Sequence, residues 1–293
     1  MRQRLLLAGL LTCSLFAGGA LAQTGQKHFL WKVEGPKGGV AYLLGSMHVL
    51  TPDFYPLAPE IDKAFAASAT LVEEVDIDEM SDPVQMMGAL AKAMLTDGRT
   101  LEQLIAPETF AEVKRRAEKA GLPMIALQRM KPWLAAITLM APTLEAAGFR
   151  PELGIDQHFF NRAKKSGMKR QALETLSYQL DRFDQMPMKV QEEMLKTTLA
   201  DLDTQAGNIG TLAKAWRDGD AKALEVLMLG AFLESPEIYE RLLVDRNRNW
   251  IPTIDTCLEQ NANCFIVVGA AHLVGPHGIP TLLQKKGYKV TQQ

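Results

Sequence analysis

Two short stretches of the sequence share one pattern: an apolar run, then Gly-x-x-His, then a loop and a proline-bounded helix. They are LLGSMHVL, with Gly45 and His48, and VVGAAHLV, with Gly269 and His272. A neutral imidazole can ligate a metal, act as a base or cap a loop. In sheets flanked by helices, ligands bind just beyond the carboxyl ends of strands, which is where both histidines lie. The matched pair therefore predicts one shared site.

Two carboxylates interrupt the apolar run TLVEEVD, which predicts a buried strand. Glu73 and Glu74 are costly there unless they are paired or metal-bound. Side chains alternate along a strand, so only one of the two can face the site. An edge strand with one solvated face would explain them equally well. Glu174 ends a second strand-like run, MKRQALE, and either reaches the same crevice or serves as an ordinary carboxylate at a helix start.

Arg246 has an apolar residue four positions away on either side, which places it on the apolar stripe of a predicted helix. A guanidinium in that position needs a carboxylate or a bound anion. Asn247 follows it directly. Asp156 comes three and four residues before two phenylalanines on the inner face of another predicted helix. It serves either as a helix N-cap or as a site residue.

The N-terminus has the features of a cleavable export signal. A basic start at Arg2 and Arg4 precedes an apolar run and a small-x-small ending, which predicts cleavage after Ala22 and a periplasmic mature chain of residues 23–293. The apolar run is shorter than the roughly 20 residues that cross a bilayer, and no later segment reaches that length, so no membrane attachment is expected. The formal net charge of −2 argues against a nucleic-acid partner.

The mature chain keeps two cysteines, Cys257 and Cys264, with six residues between them. An even count in an oxidising compartment favours a disulfide. Two buried thiols, or a zinc site with ligands from elsewhere in the chain, are the alternatives.

Strand-like and helix-like segments alternate at both ends of the chain and enclose a long helical middle. The predicted strands are FLWKVEG and VAYLLG, joined as a hairpin, then TLVEEVD, MKRQALE, CFIVVG and GYKVT. Helices are predicted at about 57–67, 107–121, 131–148 and 155–167, over most of 178–260, and at 279–286. This order predicts a mixed α/β fold, a central sheet flanked by helices, with a helical insertion at about 80–260 of one domain.

Taken together, these motifs resemble the TraB/GumN family, from about residue 28 to the end of the chain. The resemblance also includes MKPWLAA, ELGIDQHFFNRAKKSG followed by ALET, and DRNRNW. It implies a fold akin to the erythromycin esterases and the haem-binding ChaN proteins. It also implies a crevice built from both Gly-x-x-His motifs, an acidic residue and an arginine. The family's Glu-x-Asp pattern matches Glu74 to Asp76 and favours Glu74 over Glu73, and its Arg-Asn pair matches Arg246 and Asn247.

The related animal Tiki proteins are described as divalent-metal-dependent proteases, and the resemblance implies comparable chemistry. His48, Glu74 and His272 would then hold Mn, Fe, Co or Zn and leave a position open for water. The leading hypothesis is a metal-dependent hydrolase of the peptidase type, acting on a peptide or small-molecule substrate. The sequence lacks HExxH, Walker and Gly-x-Ser-x-Gly motifs, so activated water must be the nucleophile.

The remaining predicted catalytic residues assist that water and the substrate. Glu174 or Glu73 would accept the proton of the water, and Arg246 would hold a substrate carboxylate or a developing oxyanion. Asn247 and Asp156 complete the predicted set. Two alternatives stay open: a metal-free hydrolase in which a His–Glu pair activates water, as the esterase relatives suggest, and a non-enzymatic module that captures haem or another ligand.

Overall fold

The structure is a computed structural model that describes residues 27–202, 205–230, 232, 235–260 and 263–293. The predicted signal peptide lies outside these residues. Within them, one mixed sheet has the strand order β4-β3-β5-β2-β1-β6. The strands are β1 (Leu30–Glu34), β2 (Val40–Ser46), β3 (Thr70–Glu73), β4 (Lys169–Ala172), β5 (Cys264–Gly269) and β6 (Lys289–Gln292). The predicted α/β class with a central sheet is confirmed.

Helices fill most of the remaining chain. They are α1 (Pro59–Ala66), α2 (Pro83–Ala93), α3 (Leu101–Leu104), α4 (Pro107–Lys119), α5 (Met124–Leu127), α6 (Pro132–Ala146), α7 (Ile155–Ser166), α8 (Leu176–Asp184), α9 (Met188–Asp201), α10 (Gln205–Arg217), α11 (Ala221–Gly230), α12 (Pro236–Tyr239), α13 (Asp245–Glu259) and α14 (Ile279–Lys285). A π-helical turn, Glu240–Val244, joins α12 to α13. No helix among the described residues is long and apolar enough to cross a membrane.

Strand directions determine where the carboxyl ends meet. β1 pairs antiparallel with β2 and β6, while β2, β5, β3 and β4 are mutually parallel neighbours. Parallel strands covered on both faces are apolar throughout, and β5, with the sequence CFIVVG, is buried along nearly its whole length. β3 lies between β4 and β5, so the edge-strand explanation for its carboxylates is wrong. β3 also ends at Glu73, three residues before the predicted end of that strand.

The helical middle has an apolar cluster of its own, separate from the core around the sheet. Leu101, Val113, Leu139 and Leu199 bring α3, α4, α6 and α9 together in this second cluster. α6 corresponds to the segment predicted to be a buried helix. One side of α6 is open instead, and Ile137 is exposed on it. Part of the remaining apolar surface of α6 faces the cavity described below.

Cys257 and Cys264 form the predicted disulfide. It joins the last turns of α13 to the first residue of β5. α13 carries Arg246 and β5 leads to His272, so the bond links two segments that supply the candidate site.

Candidate active site

The candidate site lies at the carboxyl ends of the four parallel strands. Glu174 follows β4, Glu74 follows β3, His272 follows β5 and His48 follows β2. Because these strands are parallel neighbours, their carboxyl ends share one edge of the sheet, and Ser46 is paired with Gly269 at that edge. The structure thus brings the predicted residues together, although most of the chain separates His48 from His272.

His272 is held as a neutral ring with a defined tautomer. The amide nitrogen of Asn247 donates to the His277 carbonyl at 2.8 Å, so its oxygen faces His272 Nδ1 at 2.6 Å and the ring proton is placed on Nδ1. Burial lowers the pKa of His272 to about 3. Nε2 is left as an acceptor, 3.7 Å from Glu74 Oε1. The ring packs against Trp250, with 4.5 Å between the ring centroids.

His48 has the same anchoring but a different charge. Its Nδ1 lies 2.9 Å from Asp156 Oδ1, and the Ser46 hydroxyl donates to the same oxygen. The negative charge of Asp156 raises the pKa of His48 to about 9, which makes the ring an imidazolium at neutral pH. The His48 side chain is 67% exposed, so Nε2 is accessible from the crevice. Gly154, not Asp156, is the N-cap of α7, and the Asp156 carboxylate contacts Ser46 and His48 instead.

Glu74 is the carboxylate at the centre of the site. Its Oε1 accepts the Gly269 backbone N–H at 2.6 Å, and its Oε2 accepts from Arg246 and from Gln179 Nε2 at 3.0 Å. Burial by itself would raise the pKa of Glu74. The positive charge of Arg246 leads the groups that outweigh burial, and the pKa falls to about 2. Glu74 is therefore ionised at any physiological pH.

Arg246 uses every guanidinium N–H on the protein itself. Nε and Nη2 donate to Glu174, and Nη2 also donates to Glu74. Nη1 donates to the Leu242 carbonyl and to His272 Nε2, both at 3.1 Å. An arginine has five N–H donors, and these contacts occupy all of them. In this arrangement Arg246 has no unused donor for a substrate anion and holds the two glutamates and His272 in place. Its predicted contact with the substrate stays a prediction.

Neither of the glutamates predicted as the proton acceptor lines the crevice. The Glu174 side chain is 3% exposed, and its oxygens accept from Arg246 and from Trp250 Nε1 at 2.9 Å. Glu73 is 4% exposed, its Oε1 has no partner, and burial raises its pKa to about 8. Both carboxylates are therefore set back from the crevice, and a role as proton acceptor for Glu174 or Glu73 stays a prediction.

Gly269 leaves a gap at the point where the candidate ligands meet. A Cβ built on Gly269 would lie 3.2 Å from Glu74 Oε1, 3.5 Å from His272 Cδ2 and 3.7 Å from His48 Nε2. The missing side chain therefore keeps open the space that the carboxylate and the two imidazoles surround. In the described part of the chain, no three histidine, cysteine or carboxylate side chains are already arranged as a metal-holding group.

A cavity of about 710 Å³ opens in front of these residues. The ends of β2, β3 and β5 form its polar side, where Ser46, His48, Glu74 and His272 face it. Its other side is contributed by helices of the long middle section and is mostly apolar. The size is in the range of small-molecule binding sites, about 300–1,000 Å³.

Three residues of the site were not singled out from the sequence. Ser46 lies inside the first Gly-x-x-His motif and was marked only by that position. Trp250 was noticed as an apolar neighbour of Arg246, but its indole N–H is what matters here. Gln179 holds Glu74 from the first turns of α8, and nothing in the local sequence distinguishes it from a surface glutamine.

Comparison with known proteins places this chain in a family. Residues 29–292 match the model of the TraB/PrgY/gumN family. Two relatives, each called "Uncharacterized protein YbaP", come from Shigella flexneri and Escherichia coli (strain K12). Each is 23% identical over 260 residues, which cover 88% of this chain and 94% of the relative. No solved structure matches the chain. Because the family match covers almost all of the described sequence, the chain belongs to the TraB/PrgY/gumN family.

Proposed function

We propose that this protein is a hydrolase that activates water in the crevice, with a divalent transition metal held by His48, Glu74 and His272. One observation carries the proposal: each imidazole is anchored through Nδ1 by an oxygen acceptor, Asp156 or Asn247. Oxygen acceptors of this kind orient the histidines of metal sites, fix their tautomer and direct Nε2 towards the metal. In His272 this nitrogen accepts from Arg246 Nη1 at 3.1 Å, so a bound metal would replace that hydrogen bond.

The donor set also suits such an ion. Two imidazoles and one carboxylate are a common catalytic set for Zn, Mn, Fe or Co, and Gly269 keeps the space between them open. Glu74 is ionised and His272 neutral, as ligands must be. Such an ion lowers the pKa of a bound water and polarises a substrate carbonyl. His48 is the ligand that must first lose a proton, so affinity for the metal is expected to increase as the pH rises towards about 9.

The other site residues support this arrangement. Arg246 fixes Glu74 and Glu174 relative to each other and keeps Glu74 ionised in a buried position. Gln179 donates to the oxygen of Glu74 that Gly269 does not contact. The helices on the far side of the cavity present a mostly apolar surface, and a substrate lying against it would displace water and strengthen electrostatic interactions at the reacting group.

The His48–Asp156 pair supports a second candidate, a metal-free hydrolase. With a pKa of about 9, His48 is protonated at neutral pH and accessible from the crevice, so it can donate a proton to a leaving group. Glu74 would then orient the attacking water. This candidate differs from the first in a measurable way, because its activity would be indifferent to chelators.

The test is to strip the purified protein with a chelator and titrate it with Mn, Co and Zn by calorimetry. We expect stoichiometric binding by the wild type and its loss in His48→Ala and His272→Ala. His28→Ala is the matched control, because His28 contacts Glu60 outside the crevice. Melting temperatures of the chelated variants show whether each one is folded.

The outcomes separate the candidates. If the folded wild type binds none of the three metals, the proposed metal site is refuted. Hydrolysis of model esters or peptides in the presence of chelator would then support the metal-free enzyme. Ligand binding without hydrolysis under either condition would refute both and leave a binding module.

A further inference from the structure

The cavity in front of the site has one polar and one apolar side. The apolar side comes from four helices: α6 supplies Met140 and Leu144, α8 Phe183, α10 Ile209 and Leu212, and α11 Met228. All six side chains are partly buried, so they pack on the protein with one part and face the cavity with another. We call this set the helical wall.

Charged groups are concentrated on the opposite side. His48, Glu74 and Arg246 lie at the ends of the parallel strands or against them. The helical side also includes Asp201 and Asn208, but both are engaged in interactions within the protein. A ligand that fills the cavity therefore meets hydrocarbon along one side and reactive polar groups along the other.

Apolar side chains that face a water-filled cavity are unfavourable, since burying apolar surface contributes about 25 cal/mol per Å². A wall of methionine, leucine, isoleucine and phenylalanine beside a cavity of about 710 Å³ is what a hydrocarbon ligand would cover. Methionine adds adaptability, because its unbranched side chain adjusts to ligands of different shape.

We propose that the substrate carries a sizeable hydrocarbon group next to the carbonyl that is hydrolysed. The hydrocarbon lies along the helical wall, while the carbonyl reaches His48 and Glu74. The hydrocarbon is either an acyl chain or the apolar side chain of an amino acid, which share this chemistry. The position of the reacting carbonyl rests on the proposed function, whereas the apolar preference rests on the wall itself.

The experiment measures binding without requiring turnover. The purified chain, kept in chelator, is titrated by calorimetry with straight-chain carboxylates from butanoate to decanoate, and with N-acetyl-glycine, N-acetyl-leucine and N-acetyl-phenylalanine. Affinity should increase with hydrocarbon size, by up to about fourfold for each added methylene, until the cavity is filled. Met228→Gln should weaken the largest ligands by about tenfold or more and leave butanoate nearly unchanged.

The matched control is Val226→Gln. Val226 lies on the same helix, is 61% exposed and is not among the residues that line the cavity. If Met228→Gln does not fold, Leu212→Gln on α10 provides a second variant of the helical wall. Melting temperatures establish folding for all three.

The two sources of hydrocarbon are distinguished by which series binds. If affinity increases with size only among the carboxylates, the hydrocarbon is an acyl chain. If it increases only among the acetyl-amino acids, the hydrocarbon is a peptide side chain. The inference would be overturned if affinity did not depend on hydrocarbon size and neither Met228→Gln nor Leu212→Gln changed it. If size-dependent binding is found but the corresponding esters and amides are not hydrolysed with or without metal, the proposed function fails while the apolar preference stands.

Discussion

Replacing Arg246 with methionine removes the one guanidinium that Glu74 and Glu174 share. The side chains of Arg246, Glu74 and Glu174 are only 8%, 11% and 3% exposed, so water does not take the place of the lost charge. Methionine keeps much of the volume of the arginine stem, and the variant therefore tests charge pairing more than packing.

The expected loss in the free energy of unfolding is about 3–5 kcal/mol near neutral pH, the range for breaking a buried ion pair from one side. The pKa of Glu74 agrees in direction, because it falls from 4.5 to about 2 although burial by itself would raise it, and the charge of Arg246 leads the groups that lower it. Glu174 behaves differently, since burial raises its pKa even though it contacts the same arginine. The lowered pKa of Glu74 fits its additional hydrogen bonds from Gly269 and Gln179.

The pKa of Glu74 also predicts how the stability loss of Arg246→Met changes with pH. A carboxylate with a lowered pKa stabilises the fold above about 4.5, and this contribution is lost as the pH falls through about 2. Without the guanidinium, burial raises the pKa of both glutamates, and the cost of keeping them ionised disappears once they are protonated. The deficit of Arg246→Met relative to the wild type should thus be largest near pH 7 and shrink towards pH 4.

Urea denaturation followed by circular dichroism at several pH values measures this. Arg248→Met is the matched control, because Arg248 is two positions later on the same helix, is 54% exposed and pairs with Glu240 at the surface. Exposed pairs of that kind contribute about 0–1 kcal/mol. A loss below about 1 kcal/mol for Arg246→Met, or a deficit that does not change with pH, would refute the view that the arginine keeps two buried carboxylates ionised.

Three further predictions concern other parts of the site. Asp156→Asn should bring the pKa of His48 from about 9 to below 7, as followed by NMR of the ring protons; an unchanged pKa would show that another group sets it. Gly269→Ala is compatible with the local φ of −49°, so the fold should persist while the metal affinity measured by calorimetry falls by about tenfold or more. Undiminished affinity would mean that the metal lies elsewhere. Replacing both Cys257 and Cys264 with serine should cost about 2 kcal/mol in urea denaturation, and a midpoint equal to that of the oxidised wild type would contradict this.

The sequence identified most of the site because local patterns carried the signal. Each Gly-x-x-His motif ends an apolar strand, and a strand's end marks where a ligand can approach in this class of fold. Glu74, chosen over Glu73 from the family's Glu-x-Asp pattern, is the one of the two that lines the crevice, and its role there stays a prediction. The disulfide followed from an even cysteine count and a short separation. The export signal stays a prediction.

Other features depend on which strands become neighbours. Because β3 lies between β4 and β5, Glu73 at its end and Glu74 just after it are interior rather than edge residues, and no local pattern encodes strand order. Asp156 was a helix cap or a site residue with equal support from the sequence. The answer came from the approach of α7 to His48, because a cap and a ligand anchor require the same residue type in the same helical turn.

The sequence by itself determined the residue types at the site, the strand ends that carry them and the need for a partner to Arg246. Only the tertiary structure decided how those residues share their hydrogen bonds. All the N–H donors of Arg246 bind protein groups, and Gln179 donates to Glu74 from a helix distant in the sequence. Four helices place the apolar helical wall opposite the polar strand ends. The physical reason is that hydrogen bonding and burial are satisfied among groups far apart in the chain, so a residue's free donors, charge state and access to the cavity become defined only when the helices and strands pack together.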